Sequence, residues 1–592
     1  MEQWFISAKK ADFNQIGNEL HISPVLARIM RNRELTGIEE MNKYLNGTLA
    51  DLHEPSMLKD VEKGARIIRE KIKDKKKIRI ISDYDVDGVS SNYILYCGLK
   101  RCGAMVDYRI PNRIEDGYGI NDHLISQAAE EGIDTIITCD NGIAALEQIK
   151  KGNEMGLTFV VTDHHEVVFT MEDNRKEEHL PEAAAVIDPK QSTCSYPFKS
   201  ICGAVVAWKF IQVLYDLCSI ESAECEQFLE IAALATVCDV MPLQDENRII
   251  VKEGLERMNH TKIPGLKALI EESGLGEKRL RAYHMGFIIG PCINASGRLS
   301  TAKTALELLL CQDEKKCHEL AKQLIEMNEE RKEMTRQGEE AAKRYLESTG
   351  HIKDKVLVVF LPDCHESIAG IIAGRVREDT NKPVFVLTRT KDGVKGSGRS
   401  IEGYHMYNEM TAVRECFDKY GGHPMAAGLS MQEHRIEELR KKLNAHTTLT
   451  EKDFVKKVHI DVAVPVSYLT EHFIHELDRL EPFGNGNEKP LFAQKKMYIN
   501  GVRELGNSGR CLKLQLKDEN GYPAEAMLFG DISQFYKDAA DSFGEEAVLR
   551  MKKGLPHPVN MALTYYPEIN QWRGMKSIQI VIKNYRFPER KE

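Results

Sequence analysis

The segment IRIISDYDVDG (residues 78–88) joins a run of apolar, strand-forming residues to three aspartates. Residues 78–82 are typical of a short buried strand, and Asp83, Asp85 and Asp87 follow directly. Carboxylates this close together repel one another, and a divalent cation with oxygen ligands removes that repulsion. Alternate residues of an extended chain point the same way, so we expect Asp85 and Asp87 to converge. By itself, the segment is consistent with either a metal site or an exposed acidic turn.

Two further apolar runs end in polar residues. Residues 134–139 lead into Asp140, within CDNG, and residues 158–162 lead into DHH. Residues 93–100, which lie between the strand at 78–82 and the run at 134–139, have a helical pattern. Strands alternating with helices predict a parallel, doubly wound α/β sheet, in which chemistry lies beyond the carboxyl ends of the strands. Asp-Asn-Gly is also a common turn, so Asp140 alone is a weak signal.

The DHH triplet adds imidazole groups to this set. His164 and His165 are adjacent, so on an extended chain one can bind a metal while the other faces substrate. Asp163 is placed to orient an imidazole ring. Asp239 follows an apolar helical run, where burial of an unpaired carboxylate would be costly. Several carboxylates with few histidines predict two hard or borderline cations, Mn²⁺ or Mg²⁺, and hydrolysis of a phosphodiester or phosphoanhydride.

Outside this region, the pattern of the chain changes several times. A charged, proline-free stretch from about Glu314 predicts a long helix, a second α/β unit follows it, and alternating short strands near the end predict a β-barrel, with an OB-fold as the leading candidate. The predicted organisation is an N-terminal helical segment (1–77), an α/β catalytic domain (78–311), a connecting helix (312–350), a smaller α/β domain (351–450) and an OB-like barrel (456–590).

Composition limits the class of protein. The chain has 592 residues, of which 42% are hydrophobic and 29% charged, as in ordinary globular proteins. No apolar run reaches the roughly 18 residues of a membrane helix, and the first residues lack a signal-peptide core, which predicts a cytoplasmic protein. The 14 cysteines include no C-x-x-C pair, so reduced thiols are expected rather than zinc ligands. With a net charge of −9, nucleic-acid binding requires a local basic groove or metal ions.

The ordered motifs identify a family resemblance. DYDVDG, CDNG, VTDHHE and CDVMPL are similar to the four motifs of the DHH phosphoesterase superfamily. GPCINASGRL (290–299), HESIAGIIAGR (365–375), GSGRS (396–400), GGHPMAAG (421–428) and EPFGNGNEKPLF (481–492) resemble segments of one of its branches, the RecJ family. The resemblance implies a 5′-to-3′ exonuclease that hydrolyses single-stranded DNA in recombination and repair.

The resemblance also implies roles for individual residues. The metal positions are Asp83, Asp85, Asp87, Asp140, His164 and Asp239. Asp83, Asp163, His164 and His165 are the catalytic candidates, with His165 contacting the scissile phosphate. The candidates for substrate binding are Arg113, Asn294, Arg298, Ser397, Arg399 and His423. Without the family context, any one of the arginines would be assigned to the surface or to an ion pair. The small residues of GGHPMAAG favour a close approach of backbone amides to a phosphate, with tight helix packing as the alternative.

In this interpretation, one strand of DNA passes between the first two domains and the barrel holds it by base stacking. The candidate stacking residues are Tyr522, Phe529, Tyr565, Tyr566 and Trp572, and a position in the barrel core is the alternative for most of them. The expected partners are single-stranded DNA, a single-strand-binding protein and a RecQ-type helicase, with no membrane, and the chain is expected to be a monomer. Cys364, Ser367 and Cys511 depart from the family pattern and affect only how the strand is held.

Two alternatives remain open. One is a DHH enzyme that acts on very short oligonucleotides or cyclic dinucleotides, which would not need the additional barrel. The other is a non-catalytic replication scaffold, which would not need the complete set of carboxylates and histidines.

Overall fold

The structure is a computed structural model that describes residues 2–113, 119–172, 175–391, 393–506, 509–572 and 574–589. It divides into two compact units, Leu52–Lys456 and a second unit formed by Glu2–Asp51 with Lys457–Glu592. The predicted segment 1–77 is therefore divided between the units. The reason is a shared hydrophobic core, in which Leu26 and Ile29 belong to the same buried cluster as Leu512 of the barrel.

The first residues of the chain form a strand and three short helices. Leu26, Ile29 and Met30 give one of these helices a fully buried face, and Ser23 begins it by accepting a hydrogen bond from the Leu26 N–H. The elements are β1 (Glu2–Ile6), α1 (Phe13–Leu20), α2 (Pro24–Asn32) and α3 (Ile38–Asn46).

The catalytic part of the larger unit is built on a five-stranded parallel sheet, as the sequence predicts. Its elements are α4 (Val61–Lys73), β2 (Lys77–Ser82), α5 (Val86–Arg101), β3 (Met105–Arg109), α6 (Asp122–Glu130), β4 (Thr135–Cys139), α7 (Leu146–Glu154), β5 (Thr158–Thr162), β6 (Val168–Glu172), β7 (Arg175–His179), β8 (Ala185–Ile187), α8 (Gly203–Leu217), α9 (Leu229–Cys238), α10 (Asp245–Met258), α11 (Pro264–Glu272), α12 (Ala282–His284), α13 (Gly290–Leu299) and α14 (Lys303–Leu310). The order of the sheet is β3-β2-β4-β5-β8, and β6 and β7 form a separate hairpin.

The strand register explains where polar groups collect. Ser82, the last residue of β2, lies opposite Cys139 of β4, which lies opposite Thr162 of β5. Thr162 in turn pairs with Ile187, the last residue of β8. All four strands therefore end at the same level, and the residue that follows each of them is an aspartate.

The helix predicted over residues 93–100 begins earlier than expected. It is α5, and Asp85 caps its first turn by accepting hydrogen bonds from the N–H groups of Asp87 and Gly88. The expectation that Asp85 and Asp87 alternate along a strand is therefore wrong. Asp87 instead lies in the first turn of the helix, where the positive end of the helix dipole favours a carboxylate.

The predicted long helix and second α/β layer are confirmed. The elements are α15 (Glu314–Thr349), β9 (Leu357–Phe360), α16 (Ala369–Thr380), β10 (Val384–Thr390), β11 (Gly393–Arg399), α17 (Met406–Ala412), β12 (Lys419–Gly422), β13 (Ala426–Met431) and α18 (Ile436–His446). The sheet order is β12-β13-β11-β10-β9. α15 packs against α11 and α13 and then against α16, so it connects the catalytic part to this second layer.

The C-terminal strands close into a five-stranded barrel of order β15-β16-β17-β19-β18, as predicted. The elements are β14 (Lys456–Ile460), α19 (Glu471–Asp478), β15 (Phe492–Leu505), β16 (Cys511–Lys517), β17 (Pro523–Phe529), α20 (Ile532–Phe543), α21 (Glu545–Lys552), β18 (Asn560–Trp572) and β19 (Met575–Arg586). β14 pairs with β1 outside the barrel.

Two of the aromatic residues proposed to stack on DNA are part of the barrel core. Tyr565 and Tyr566 are buried, and the Tyr565 hydroxyl donates a hydrogen bond to the Val464 carbonyl at 2.7 Å. Their expected stacking role is therefore wrong. Tyr522 and Phe529 are exposed, and the side chain of Trp572 lies outside the described residues. Within those residues, no helix is both long and apolar enough to cross a membrane.

Glu230 places a carboxyl group inside the otherwise apolar helix α9. Only 6% of the residue is exposed, and its Oε2 has no hydrogen-bond partner among the described residues. Burial raises the pKa of Glu230 from 4.5 to about 7. Because the folded state then binds this proton more tightly, the contribution of Glu230 to stability is fully present below pH 4.5 and is lost as the pH rises to about 7. The difference corresponds to on the order of 3 kcal/mol.

We expect Glu230→Gln to raise the unfolding temperature of the protein above pH 7 and to change it little near pH 4.5. The neutral amide removes the cost of an ionised carboxylate, which exists only at the higher pH. Thermal unfolding at both pH values measures the effect, with Glu147→Gln on the exposed face of α7 as the control. A stabilisation of equal size at both pH values would contradict this assignment.

Candidate metal centre and phosphate-binding cluster

The carboxyl edge of the parallel sheet holds three overlapping groups of potential metal ligands. Within each group, the candidate ligand atoms lie within 4.8 Å of one another. The groups are Asp83, Asp85 and Asp140; Asp87, His164 and Asp239; and Asp140, His164 and His165. Every residue predicted at the metal positions therefore lies in this one cluster.

Asp87 is held by a helix that is distant in the chain. Its Oδ2 accepts a hydrogen bond from the Gly203 N–H at 2.7 Å, and its Oδ1 accepts one from the Ala204 N–H at 2.8 Å. These are the first two residues of α8, so the positive end of a second helix dipole supports the carboxylate. Asp87 thus joins the N-termini of α5 and α8.

His164 lies at the centre of the cluster. Its Nε2 is 3.1 Å from Asp140 Oδ1 and 3.4 Å from Asp87 Oδ2. The same atom is 3.6 Å from Asp239 Oδ2. Asp140 reaches this position with φ of 58°, a left-handed conformation uncommon for residues other than glycine. One imidazole therefore faces carboxylates from α5, from the end of β4 and from the end of α9.

Asp163 is in contact with an imidazole ring, as the expected orienting role requires. Its Oδ1 lies 2.8 Å from His165 Nδ1, and its Oδ2 accepts a hydrogen bond from the Ile143 N–H. Burial opposes ionisation, but the hydrogen bond and charge of His165 lower the pKa of Asp163 to about 2. Burial likewise opposes protonation of His165, and Asp163 outweighs it, raising the pKa of His165 to about 9. The two side chains form an ion pair next to the ligand cluster.

The remaining aspartates repel one another strongly. Burial, followed by the charges of neighbouring aspartates, raises the pKa of Asp83, Asp140 and Asp239 well above the usual range. Asp83 Oδ1, His164 Nδ1 and Asp239 Oδ2 are buried without a hydrogen-bond partner among the described residues. Crowded carboxylates with unpartnered donor atoms fit divalent cations, and oxygen ligands with one or two imidazoles suit Mn²⁺ and Mg²⁺.

A cluster of arginines, which we call the arginine cluster, consists of Arg113, Arg298, Arg331 and Arg399. All four are half-buried, and none forms an ion pair with a residue that the structure describes. Burial and then the nearby charges of Arg113 and Arg331 lower the pKa of Arg298 to about 10. Burial and then Arg113 also lower the pKa of Arg399. Half-buried arginines that repel one another are suited to binding a multiply charged anion.

The arginine cluster extends across the catalytic part and the second α/β layer. Arg298 on α13 donates a hydrogen bond to the Ser367 carbonyl at 2.7 Å. The Ser367 hydroxyl lies 2.7 Å from His365 Nδ1, so this departure from the family pattern is accommodated within its own loop. Arg399 lies against Gly370 of α16, where an added Cβ would be 2.8 Å from the guanidinium. Gly370 therefore makes room for the arginine.

The other predicted substrate-binding residues differ in their surroundings. Asn294 accepts a hydrogen bond from the Val86 N–H at 3.1 Å, which joins α13 to the metal-binding turn. Ser397 lies two residues from Arg399 on β11 and faces Gly370. Arg113 lies over the ring of Tyr84, 5.0 Å from its centroid. His423 is exposed, and its side chain has no hydrogen bond within the described residues.

Three residues at this site were not predicted. Asp188 follows β8 at the same edge of the sheet, and burial and then Asp163 raise its pKa to about 8. Lys190 is close enough to contribute positive charge at His164 and Asp239. Arg331 lies inside the charged pattern of α15, where nothing distinguishes it from surface arginines. Of these three residues, only Asp188 could have been predicted from the sequence, because it is an aspartate directly after a short apolar run.

Gly203 is a position where an added methyl group should damage the centre. A Cβ there would lie 2.9 Å from Asp140 Cβ and 3.1 Å from Asp87 Oδ2. A misplacement of about 1 Å in an active site costs about a hundredfold in rate, so we expect Gly203→Ala to lower turnover by roughly tenfold. Gly374→Ala on α16 is the control, because its added Cβ meets no atom within 4 Å. Steady-state rates at saturating Mn²⁺ compare the two, and equal rates would contradict the predicted clash.

Comparisons with known proteins agree with this arrangement. The model of the DHH family N-terminal domain matches residues 77–236, the DHHA1 domain matches 353–448, and the RecJ OB domain matches 460–584. Single-stranded-DNA-specific exonuclease RecJ of Bacillus subtilis is 32% identical over 592 residues, covering 99% of this chain and 71% of the relative. The protein of the same name from Escherichia coli is 30% identical, covering 95% and 96%.

Solved structures show the same architecture. RecJ from Thermus thermophilus in complex with Mn²⁺ has a TM-score of 0.81 and 27% identity, covering 99% of this chain and 80% of that chain. Its complex with Mg²⁺ has a TM-score of 0.75 and 26% identity, covering 99% and 79%. Because the similarity extends over nearly the whole chain and includes all three family domains in order, the chain belongs to the RecJ family of DHH phosphoesterases.

Proposed function

We propose that this protein is a metal-dependent exonuclease that hydrolyses the phosphodiester bonds of single-stranded DNA from the 5′ end. The observation that carries the proposal is the position of the arginine cluster beside the carboxylate cluster, within one compact unit. The arginine cluster can hold a terminal phosphate while the carboxylate cluster acts on the next diester. The names of the RecJ relatives and the metal ions in the solved structures support the same activity.

The chain's own residues have separable tasks in this reaction. Asp83, Asp85, Asp87, Asp140, His164 and Asp239 would hold the cations. Bound Mn²⁺ or Mg²⁺, two ions in the proposal, would activate a water molecule and neutralise charge on the scissile phosphate.

Asp163 fixes the ring of His165 through Nδ1, and His165 Nε2 is then the atom that would donate a hydrogen bond to a phosphate oxygen. The α5 turn keeps its ligands in place through Asn294 and through the first N–H groups of α8. Deprotonation of the attacking water requires a nearby acceptor, and the clustered carboxylates provide several.

The arginine cluster provides the polarity of the proposed reaction. Arg298, Arg399 and Ser397 would bind a 5′-terminal phosphate, and Arg113 is close enough to contribute positive charge at both Arg399 and Asp83. Arg is suited to this task because its fixed fork of donors matches the oxygens of phosphate. A strand that enters with its other end first would present no terminal phosphate to this cluster.

A product ladder from end-labelled single strands tests the proposal. With Mn²⁺, we expect a strand labelled at its 3′ end to shorten progressively, whereas a strand labelled at its 5′ end should release the label at once. EDTA should abolish both reactions, because the carboxylates cannot activate water without cations. Internal fragments from a circular strand would indicate an endonuclease, and hydrolysis restricted to very short oligonucleotides or cyclic dinucleotides would indicate a different DHH enzyme.

We also propose a cellular setting. The protein would act as a cytoplasmic monomer in recombination and repair, on single strands supplied with the help of a single-strand-binding protein and a RecQ-type helicase. The barrel, with exposed Tyr522 and Phe529, would contribute to holding the strand by stacking. His423 belongs to the proposed phosphate-binding set on its motif alone.

A further inference from the structure

Two large aromatic side chains lie in solvent close to the metal centre. Tyr283 is 62% exposed and Phe287 is 68% exposed. Their ring centroids are 5.0 Å apart with an interplanar angle of 23°, so the two rings stack on each other. Exposing both rings is unfavourable unless another group covers them, and a pair of this kind offers a flat apolar surface.

The pair lies on the same helical run as two residues of the proposed active site. α12, a π-helical segment (Met285–Ile289) and α13 follow one another without a break. Tyr283 and Phe287 belong to the first half of this run, and Asn294 and Arg298 belong to α13. Ala282, Met285 and Ile289 of the run are buried, whereas the two aromatic rings are exposed. π-Helical segments are frequent at functional sites.

Contacts place this segment beside the metal-binding end of α9. Cys238, which precedes Asp239, donates from Sγ to the Met285 carbonyl at 3.5 Å. Val240, which follows Asp239, is 63% exposed. A Cβ at Gly286 would lie 3.3 Å from Val237. The segment that carries the aromatic pair therefore packs against the end of α9 that leads into Asp239, and Arg298 lies further along the same helical run.

Positive charge accompanies the aromatic pair. Lys278 and Arg281 are exposed and lie next to Tyr283 in sequence. Burial, followed by these two charges, lowers the pKa of His284, whose ring is 5.9 Å from that of Tyr283. Cations interleaved with exposed aromatic rings are the combination by which proteins bind single strands without reading their sequence, because the cations meet phosphates and the rings meet bases.

We propose that Tyr283 and Phe287 form a stacking platform for a base of the DNA strand on the 3′ side of the scissile phosphate. The inference rests on the proposed function, since the arginine cluster fixes the 5′ end at Arg298. In the proposal, a strand whose 5′ phosphate lies at Arg298 would reach the platform with a base beyond the scissile diester. The platform would hold the strand in line while the diester is cut.

Abasic substitution tests the platform base by base. Short 5′-phosphorylated strands would carry one abasic site at the second, third, fourth, fifth or sixth nucleotide. The rate of the first cut under single-turnover conditions, and Kd in EDTA by fluorescence anisotropy, are measured for the wild type and the Tyr283→Ala/Phe287→Ala variant. Phe169→Ala is the control, because Phe169 is 49% exposed and lies on the separate β6–β7 hairpin, under Lys176.

We expect one abasic position to slow and weaken the wild type by roughly tenfold, the effect of losing one stacked base. The double variant should lose this position-specific penalty and show the same roughly tenfold weakening on the intact strand. The control should behave as the wild type. A double variant that keeps the wild-type abasic profile would overturn the platform. If the wild type does not cut at all, the proposed function fails, and the Kd profile in EDTA still decides the stacking.

Discussion

Replacing Asp140 by alanine is expected to lower the turnover of single-stranded DNA by several orders of magnitude. Asp140 belongs to two of the three ligand groups, one with Asp83 and Asp85 and one with His164 and His165. Its loss therefore removes a candidate ligand from two of the three groups at once. Mutation of a peripheral ligand such as Asp239, which belongs to one group, should cost less.

The same substitution has an opposite effect on stability. In EDTA, removal of one carboxylate from a buried cluster of aspartates relieves repulsion, so Asp140→Ala should unfold at a higher temperature than the wild type. Addition of Mn²⁺ should stabilise the wild type by mass action and the variant much less. Thermal unfolding with EDTA and with Mn²⁺, alongside turnover, separates loss of the metal centre from loss of the fold.

Asp122→Ala is the matched control, since Asp122 is a surface residue of α6 whose side chain is 60% exposed. It should change neither turnover nor the Mn²⁺-dependent stabilisation. Near-wild-type turnover in folded Asp140→Ala would refute the assigned metal centre, and an unchanged response to Mn²⁺ would place the cations elsewhere.

The location of this centre was predictable because the relevant physics is local. Asp83, Asp140 and Asp163 each follow a short apolar run, and parallel strands that end together bring the following residues to one edge of the sheet. The same reasoning applies to Asp188, which follows β8. This strand is too short to be recognised from the sequence, so Asp188 was not predicted. The long helix α15 was also predictable, because its charged pattern contains no proline or glycine until Gly338.

The features that the sequence does not predict depend on contacts between residues that are far apart in the chain. The support of Asp87 by α8 joins residues 116 positions apart, and no pattern near Gly203 indicates it. The alternation in β18 does not say which of its residues face the inside of the barrel, so the sequence leaves Tyr565 open between stacking on DNA and the core, where the structure buries it. Residues 2–51 join the C-terminal barrel through a shared core that only the folded chain reveals.

The second prediction with a large expected effect concerns recognition of the 5′ end of the DNA strand. A strand with a 5′ phosphate should be degraded faster than one with a 5′ hydroxyl, and Arg399→Ala should erase most of that preference. Arg399 is half-buried without an ion pair among the described residues, and it lies in the repulsive field of Arg113. Hydrogen bonds to a charged group contribute about 1.5–3 kcal/mol, which corresponds to about tenfold to a hundredfold in binding.

Three substrates of one sequence measure this preference, namely a 5′-phosphorylated strand, a 5′-hydroxyl strand and a circle. Arg399→Lys should retain part of the preference, because the charge remains while the fork of donors is lost. Arg389→Ala on the neighbouring strand β10 is the control, since Arg389 is exposed and paired with Glu433. It should leave the ratio of the two linear rates unchanged.

The ratio of rates is more informative than either rate. If Arg399 only supports the second α/β layer, its loss should slow both linear strands equally and leave the ratio intact. If it binds the terminal phosphate, its loss should slow the phosphorylated strand alone, because the hydroxyl strand never made that contact. The guanidinium of Arg399 occupies the space that a side chain at position 370 would fill. Gly370→Ala should therefore displace Arg399 and lower the ratio of the rate on the phosphorylated strand to the rate on the hydroxyl strand, without changing any charge. Agreement between these two variants would assign the preference to the position of one guanidinium group, whereas a circle cut as fast as the linear strands would exclude recognition of an end.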